Sequence, residues 1–148
     1  MMDGLFKVLD IAASGMTAER FRLDVISQNL ANSDTTRTEE GGPYRRKTVI
    51  FQEALNESAN GSKNFGGVKV SSIVEDPSPF RLVYDPNHPD ADAEGYVSYP
   101  NVNVLREMVD MMSAQRAYEM NAAVVNSAKS MYNSALGIGR YTHFRNRS

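Results

Sequence analysis

The sequence predicts an α+β protein in which long helices at the two ends of the chain pair as an antiparallel, coiled-coil-like hairpin beside a small β-rich middle module. Apolar residues recur at helical spacing in both end segments. All six prolines lie between Pro43 and Pro100, where short alternating apolar runs also occur. We therefore divide the 148 residues into an N-terminal helix (1–33), a middle module (34–101), a C-terminal helix (102–140) and a tail (141–148).

Two apolar rows run along the predicted N-terminal helix. The first row steps by threes and fours and is broken only by Glu19; its members are Leu5, Leu9, Ala12, Met16, Leu23, Ile26 and Leu30. The second row lies about 100° away and contains Val8, Ile11, Gly15, Ala18 and Val25. Two rows make a face wider than a two-stranded coiled coil needs, so the helix is expected to contact more than one neighbour. Gly15 follows three small residues, which indicates either a close backbone approach or a tolerated kink.

The predicted C-terminal helix contains neither glycine nor proline from Asn101 to Leu136. Asn101 or Asn103 can cap its start, and Gly137 and Gly139 are expected to stop it. Its main apolar row comprises Val104, Met108, Met111, Tyr118, Ala122, Val125, Tyr132 and Leu136. Further apolar residues, among them Leu105, Val109 and Met112, point in the other directions around the axis, which indicates a helix buried on all sides.

The middle module is expected to contain three or four strands, at residues 47–51, 68–73, 80–84 and 96–99. Residues 56–67 are rich in Asn, Ser and Gly, so a mobile loop is predicted near residues 54–67.

Little in the sequence indicates chemistry, and neither catalysis nor a cofactor is expected. The acidic stretch from Asp85 to Glu94 is the best metal candidate, but it fails the EF-hand template and is better interpreted as a turn held by prolines and Asx-type hydrogen bonds. The two histidines are not placed for a catalytic triad, and there is no cysteine. A net charge of −2 argues against nucleic-acid binding, so the basic run at residues 45–47 is expected to be a solvated strand start or to meet an acidic neighbour.

The apolar surface of the end helices exceeds what one helix pair can cover, which predicts assembly. In the pair, Leu9, Met16, Leu23, Ile26 and Leu30 are expected to meet Tyr118, Ala122, Val125 and Tyr132. Val8, Gly15, Met108, Met112 and Met120 are expected to face other chains. The candidate assembly interface adds Leu5, Ala12, Met111 and Leu136 to these residues.

Three other interpretations compete with assembly. A membrane-surface helix would need a Lys/Arg-rich polar face, which these helices lack, and no segment is apolar enough for membrane insertion. A closed bundle would need more helices. A helical binding or adaptor module, metal-dependent through residues 85–94, is the remaining alternative.

Two motifs carry a resemblance: Asn29-Leu30-Ala31-Asn32 and Ala117-Tyr118-Glu119-Met120-Asn121 resemble the axial proteins of the bacterial flagellum, the family of rod, hook and hook-associated subunits. Within that family the likeness to proximal rod proteins covers residues 5–140 and is carried by residues 41–47, 74–80, 83–86, 88–97 and 100–104. Residues 56–65 match no motif of the family, and residues 141–148 extend past its usual end.

The resemblance implies a non-enzymatic subunit of the proximal rod, the part of the basal body that serves as drive shaft. It implies that the terminal helices form an inner layer and are disordered before assembly. The implied partners are other copies of the chain, other rod proteins, the type III export apparatus, and the rotor (MS) ring with the export gate region. The implied location is the periplasmic rod, reached by uncleaved type III export, in agreement with a start that does not resemble a Sec signal.

Overall fold

The computed structural model describes residues 2–57 and 63–144. Its elements are α1 (Met2–Ala31), β1 (Lys47–Glu57), β2 (Lys63–Glu75), β3 (Arg81–Tyr84), β4 (Tyr96–Tyr99) and α2 (Val104–Phe144). The terminal helices contact each other, and two small sheets lie between them in the chain. The predicted α+β class, with paired terminal helices and a β-rich middle, is therefore confirmed.

The helices pair in antiparallel fashion. At one end the rings of Phe6 and Tyr132 lie 6.4 Å apart, and at the other end the side chains of Asn29 and Glu107 form a hydrogen bond of 3.0 Å. Small residues are buried along the pair, including Ala12, Ala18, Ala114 and Ala128. Because their side chains are short, the backbones can approach closely over most of the length of α1.

The start of α2 follows the expected capping chemistry, but its end does not. The Asn103 side-chain oxygen accepts a hydrogen bond of 3.0 Å from the Arg106 N–H, so Asn103 is the cap. The prediction that Gly137 and Gly139 stop the helix is wrong, since α2 continues to Phe144 and includes the first residues of the predicted tail. Glycine ends a helix by adopting a left-handed conformation, and neither glycine has a positive φ.

Strands β1 and β2 form an antiparallel ribbon from the pair Lys47–Glu75 to the pair Glu57–Lys63, with register shifts after Ile50 and after Glu53. The ribbon occupies most of the segment predicted as a loop near residues 54–67, so that prediction is wrong for its described part; residues 58–62 lie outside the described residues. Leu55 pairs with Phe65 across the ribbon. Apolar cross-strand pairs of this kind stabilise strands beyond the residues where apolar and polar side chains alternate in the sequence.

Strands β3 and β4 form a second antiparallel sheet, in which Val97 is fully buried. The Tyr84 and Tyr96 rings pack edge to face at 5.3 Å. The acidic connection between the strands is held by its own carboxylates, because Asp85 accepts the Asn87 N–H and Asp92 accepts the N–H groups of Glu94 and Tyr96. The interpretation of this stretch as a turn held by Asx-type hydrogen bonds is confirmed.

The ribbon contacts α1 at the run of small residues that precedes and includes Gly15. The Val68 N–H donates to the Ser14 hydroxyl at 3.1 Å, and that hydroxyl donates to the Ile11 carbonyl at 2.7 Å. Gly67 is buried with φ +115°, and a Cβ on it would overlap the Ser14 hydroxyl. A backbone therefore does approach this run closely, but it does so at Ser14 rather than at Gly15.

Candidate assembly interface and the polar junction behind it

A buried polar junction joins the end of α1 to β1 and α2. The Asn29 amide nitrogen donates to the Lys47 carbonyl at 2.8 Å and to a Glu107 carboxylate oxygen at 3.0 Å. Its amide oxygen accepts from the Lys47 N–H at 2.9 Å and from the Tyr44 hydroxyl at 3.0 Å. The amide thus uses its full capacity of two donors and two acceptor positions, so one side chain fixes three segments relative to each other.

Glu107 and Arg46 form the charged part of the junction. Glu107 is completely buried, and the Arg46 Nε donates to it at 2.5 Å. The remaining guanidinium nitrogens reach Thr48 at 2.9 Å, Asp76 at 3.4 Å and Asp110 at 3.5 Å. Burial alone would lower the pKa of Arg46, but the bond to Glu107 and the charges of Asp76 and Asp110 outweigh it and raise that pKa. Arg46 is therefore charged and directed at four acceptors.

Tyr44 closes the junction from the opposite side. Burial raises the pKa of its hydroxyl, and the negative charges of Glu107 and Glu75 raise it further. The hydroxyl consequently stays protonated and remains a donor to Asn29.

The neighbouring basic residue, Arg45, also binds within the chain. Its guanidinium donates to the Asp76 and Ser78 carbonyls at 2.9 and 3.0 Å and lies 4.2 Å from the centre of the Phe80 ring. Two expectations were open for the basic run, a solvated strand start or contact with an acidic neighbour. The second is correct for Arg46, whose acidic partners belong to the same chain. Sequence reasoning missed the junction itself, because Asn29 and Glu107 lie 78 positions apart.

A largely apolar surface, here called the α2 outer stripe and interrupted by Arg116, lies on the side of α2 opposite the buried Glu107. Its residues fall within roughly half of the helix circumference at about 100° per residue. The stripe comprises Leu105, Met108, Val109, Met112, Met120, Val124, Met131 and Ile138, all of which are exposed. Leu105 and Met120 are 73% and 70% exposed. Since α2 is open on this side, the expectation of burial on all sides can be met only by other chains.

The predicted contact residues divide between the helix pair and the exposed surface. The residues expected in the pair are buried or half-buried: Leu9, Met16, Leu23, Ile26, Leu30, Tyr118, Ala122, Val125 and Tyr132. Leu5, Ala12 and Met111 are also buried or half-buried, whereas Val8, Met108, Met112, Met120 and Leu136 are exposed.

The prediction that Gly15 faces another chain is wrong. Gly15 lies inside the helix pair, where an added Cβ would come within 2.8 Å of the Asn121 amide nitrogen. The spacing alone could not reveal this, because the second α1 row also turns toward α2 at this point.

Glu19 interrupts the apolar row of α1 inside the helix pair. Its Oε2 is buried and accepts no hydrogen bond from the described residues. The nearest cation is Arg22, whose Nη1 lies 3.8 Å away. Burial raises the pKa of Glu19, an effect that the charge of Arg22 only partly offsets. Among the described residues, this Oε2 is the one buried side-chain oxygen or nitrogen that makes no hydrogen bond, and its ion pair with Arg22 is long.

Within the described residues, the acidic stretch between β3 and β4 brings no three His, Asp or Glu side chains together. Asp90 instead accepts a hydrogen bond of 2.8 Å from Thr36 and pairs with Arg37. The bond from Thr36 and the charge of Arg37 hold the pKa of Asp90 below its usual value. Of the described helices, none is long and apolar enough to cross a membrane.

Two family models match the chain. The one described as "Flagella basal body rod protein" matches residues 9–37, and the one described as "Flagellar basal body rod FlgEFG protein C-terminal" matches residues 93–138. These segments contain Asn29, Glu107 and the whole α2 outer stripe.

Curated relatives match over nearly the whole chain. It is 50% identical to the flagellar basal-body rod protein FlgC of Borreliella burgdorferi, over 91% of this chain and 97% of that protein. It is 52% identical to FlgC of Bacillus subtilis, over 91% and 98% respectively. It is 46% identical to FlgC of Escherichia coli O6:H1, over 92% and 98% respectively.

Proposed function

Because this chain belongs to the FlgC family of flagellar basal-body rod proteins and is a non-enzymatic structural component of the rod, we propose that it joins other copies of itself and other rod proteins through the α2 outer stripe. The observation that carries this proposal is the stripe itself, which extends over about 50 Å at 1.5 Å per residue. Full burial of each large side chain contributes roughly 1.5–3 kcal/mol as an upper bound, so a partner helix along this surface would be held firmly.

The junction gives the stripe a fixed position relative to the β-rich module. Asn29 and Glu107 anchor the helix pair at the end where the chain enters and leaves the module. A subunit that transmits torque needs such a rigid connection, because a loose one would absorb the rotation. The junction therefore supports a load-transmitting role for the subunit, with the inner layer formed by α1 and α2 and the sheets outside it.

The proposal also includes the specific partners of the chain and the route by which it reaches the rod. The chain reaches the periplasmic part of the rod by uncleaved type III export, and it contacts the export apparatus and the rotor (MS) ring with the export gate region. Membership of the rod family supports this route.

Replacing Met112 by aspartate is expected to abolish rod assembly. The substitution would place a carboxylate among the apolar side chains of the contact, and its desolvation costs several kcal/mol, a cost that pairing with Arg116 one turn away offsets only in part. Swimming of a strain that carries only the variant should fall to the level of a strain without the gene, while export of the variant continues. Met112→Leu, which keeps the position apolar, should swim normally. Normal motility of the aspartate variant would show that the stripe is not an interface.

The end of the helix pair farthest from the junction is expected to order only on assembly. The rings of Phe6 and Tyr132 are in contact at that end, where Val8, Met131 and Ile138 are exposed. An isolated helix end of this kind is marginal in water because packing supplies most helical stability. Circular dichroism should therefore show lower helicity in the lone chain than in the assembled form. Equal helicity in the two states would contradict folding coupled to assembly.

A further inference from the structure

Asn101 has a role other than capping, because Asn103 provides the cap of α2. The Asn101 amide nitrogen donates to the backbone carbonyls of Asp76 and Ser78, both at 3.0 Å. Its amide oxygen accepts from the Arg46 N–H at 2.8 Å. Both amide protons and the amide oxygen are therefore used, and one side chain connects the segments that precede α2, β3 and β1.

The β3–β4 sheet is the part of the fold that depends on such a connection. Among the described strands and helices, β3 and β4 lie beside each other and come close to no other element, whereas the ribbon packs on α1. The chain enters this sheet at Arg81, shortly after Ser78, and leaves it at Tyr99, shortly before Asn101. The Asn101 amide therefore holds the entry and the exit of the sheet together and connects both to the base of β1.

Arg45 binds the same two carbonyls as Asn101. Its guanidinium donates to the carbonyls of Asp76 and Ser78 at 2.9 and 3.0 Å. Each carbonyl oxygen has two lone pairs and can accept from both side chains at once. The Asp76 N–H also donates to the Arg46 carbonyl at 2.8 Å. The loop that leads into β3 is thus held by two side chains and by the backbone.

We propose that Asn101, together with Arg45, sets the orientation of the β3–β4 sheet relative to the helix pair. The connection to α2 passes through Arg46, whose backbone binds Asn101 and whose side chain binds Glu107. The sheet face that is oriented in this way carries Leu82, which is 65% exposed. The inference goes beyond the proposed function and does not rest on it, because it concerns the arrangement within one chain.

Distances between spin labels test this orientation, because the chain contains no cysteine and two introduced cysteines define one distance. In the purified full chain, Gln115→Cys on α2 is paired with Leu82→Cys on β3, and in a second sample with Lys69→Cys on the ribbon. All three positions are exposed. Adding Asn101→Ala should broaden the first distance distribution about twofold and leave the second unchanged, since the ribbon is held by α1.

Asn103→Ala is the matched control, because it removes the same side chain from the cap of α2 and leaves the Asn101 amide in place. It should lower the melting temperature and keep both distance distributions as narrow as in the unsubstituted chain. The proposal is overturned if Asn101→Ala leaves the distribution from α2 to β3 unchanged. Equal broadening of both distributions, or equal broadening by Asn103→Ala, would indicate general loosening of the fold and would also overturn it.

Combining Asn101→Ala with Arg45→Ala provides a second readout. Either single variant leaves one side-chain donor on each of the two carbonyls, whereas the double variant leaves none. The factor by which the folding equilibrium constant falls in the double variant should therefore exceed the product of the factors for the two single variants. A factor no larger than that product would mean that the two side chains do not hold the loop jointly, contrary to the proposal.

Discussion

Replacing Arg46 by alanine is expected to lower the free energy of unfolding by about 3–5 kcal/mol, since removing one partner of a buried ion pair leaves the other charge uncompensated. Glu107 would lose its shortest hydrogen bond while remaining completely buried, and Asp76 and Asp110 would face it without a cation between them. Urea titration of the purified chain, followed by circular dichroism, measures the change. The chain should still be exported, but rods should form less readily because the module is no longer fixed to the helices.

Arg45→Ala is the matched control, because it removes the same side chain one position earlier. Arg45 donates to two carbonyls and lies over the Phe80 ring; because these partners are uncharged, its removal leaves no buried charge behind and costs about 1 kcal/mol. If Arg45→Ala and Arg46→Ala lowered the free energy of unfolding equally, the buried ion pair of Arg46 with Glu107 would contribute no more to stability than the contacts of Arg45.

A double variant separates the pair from general disruption. Arg46→Met combined with Glu107→Leu removes both charges and fills their space with apolar atoms, an exchange that is often neutral or stabilising in other proteins. The double variant should therefore be more stable than Arg46→Ala alone, although Asn29 loses one acceptor. If the double variant is less stable than Arg46→Ala, the cost of the single variant does not come from an uncompensated charge.

The two terminal helices could be predicted from the sequence because helix formation depends on local spacing, and the apolar rows on both helices predicted that they would pair. The row through Leu9, Met16 and Ile26 has a period that only a helix presents on one side, and the burial of these residues follows from it. The length of the β1–β2 ribbon could not be predicted in this way. Its outer part depends on cross-strand pairs such as Leu55 with Phe65, which no local pattern specifies.

The junction was beyond sequence reasoning for a related reason. Asn29, Arg46 and Glu107 each look like ordinary polar residues at the ends of elements, and only the fold brings them together. One signal was present, however: Glu107 lies among apolar residues in the first turns of α2, where a lone carboxylate needs a cation or an amide to be buried. Arg106, Arg116 and Arg81 all lie nearer to Glu107 along the chain than Arg46 does, so nothing local identified Arg46 as the partner.

Gly67→Ala is expected to cost about 3 kcal/mol or more, the second large effect on stability. At φ +115° an L side chain adds strain of about 1–3 kcal/mol, and overpacking a tight contact adds about 1–3 kcal/mol. The new Cβ would overlap the Ser14 hydroxyl and approach the Ser14 Cβ to 3.0 Å. That hydroxyl cannot simply rotate away, because it accepts from Val68 and donates to Ile11.

Gly42→Ala separates the two contributions, because Gly42 also has a positive φ, +76°, but has no atom within 4 Å of an added Cβ. Its cost should be limited to the backbone strain, about 1 kcal/mol. Combining Gly67→Ala with Ser14→Gly should recover part of the loss by making room for the Cβ, despite the hydrogen bonds that Ser14 gives up. If Gly67→Ala costs no more than Gly42→Ala in the same urea titration, the ribbon does not press on α1 at Ser14. The distance between the β-rich module and the helix layer would then be set by the Asn29 junction alone.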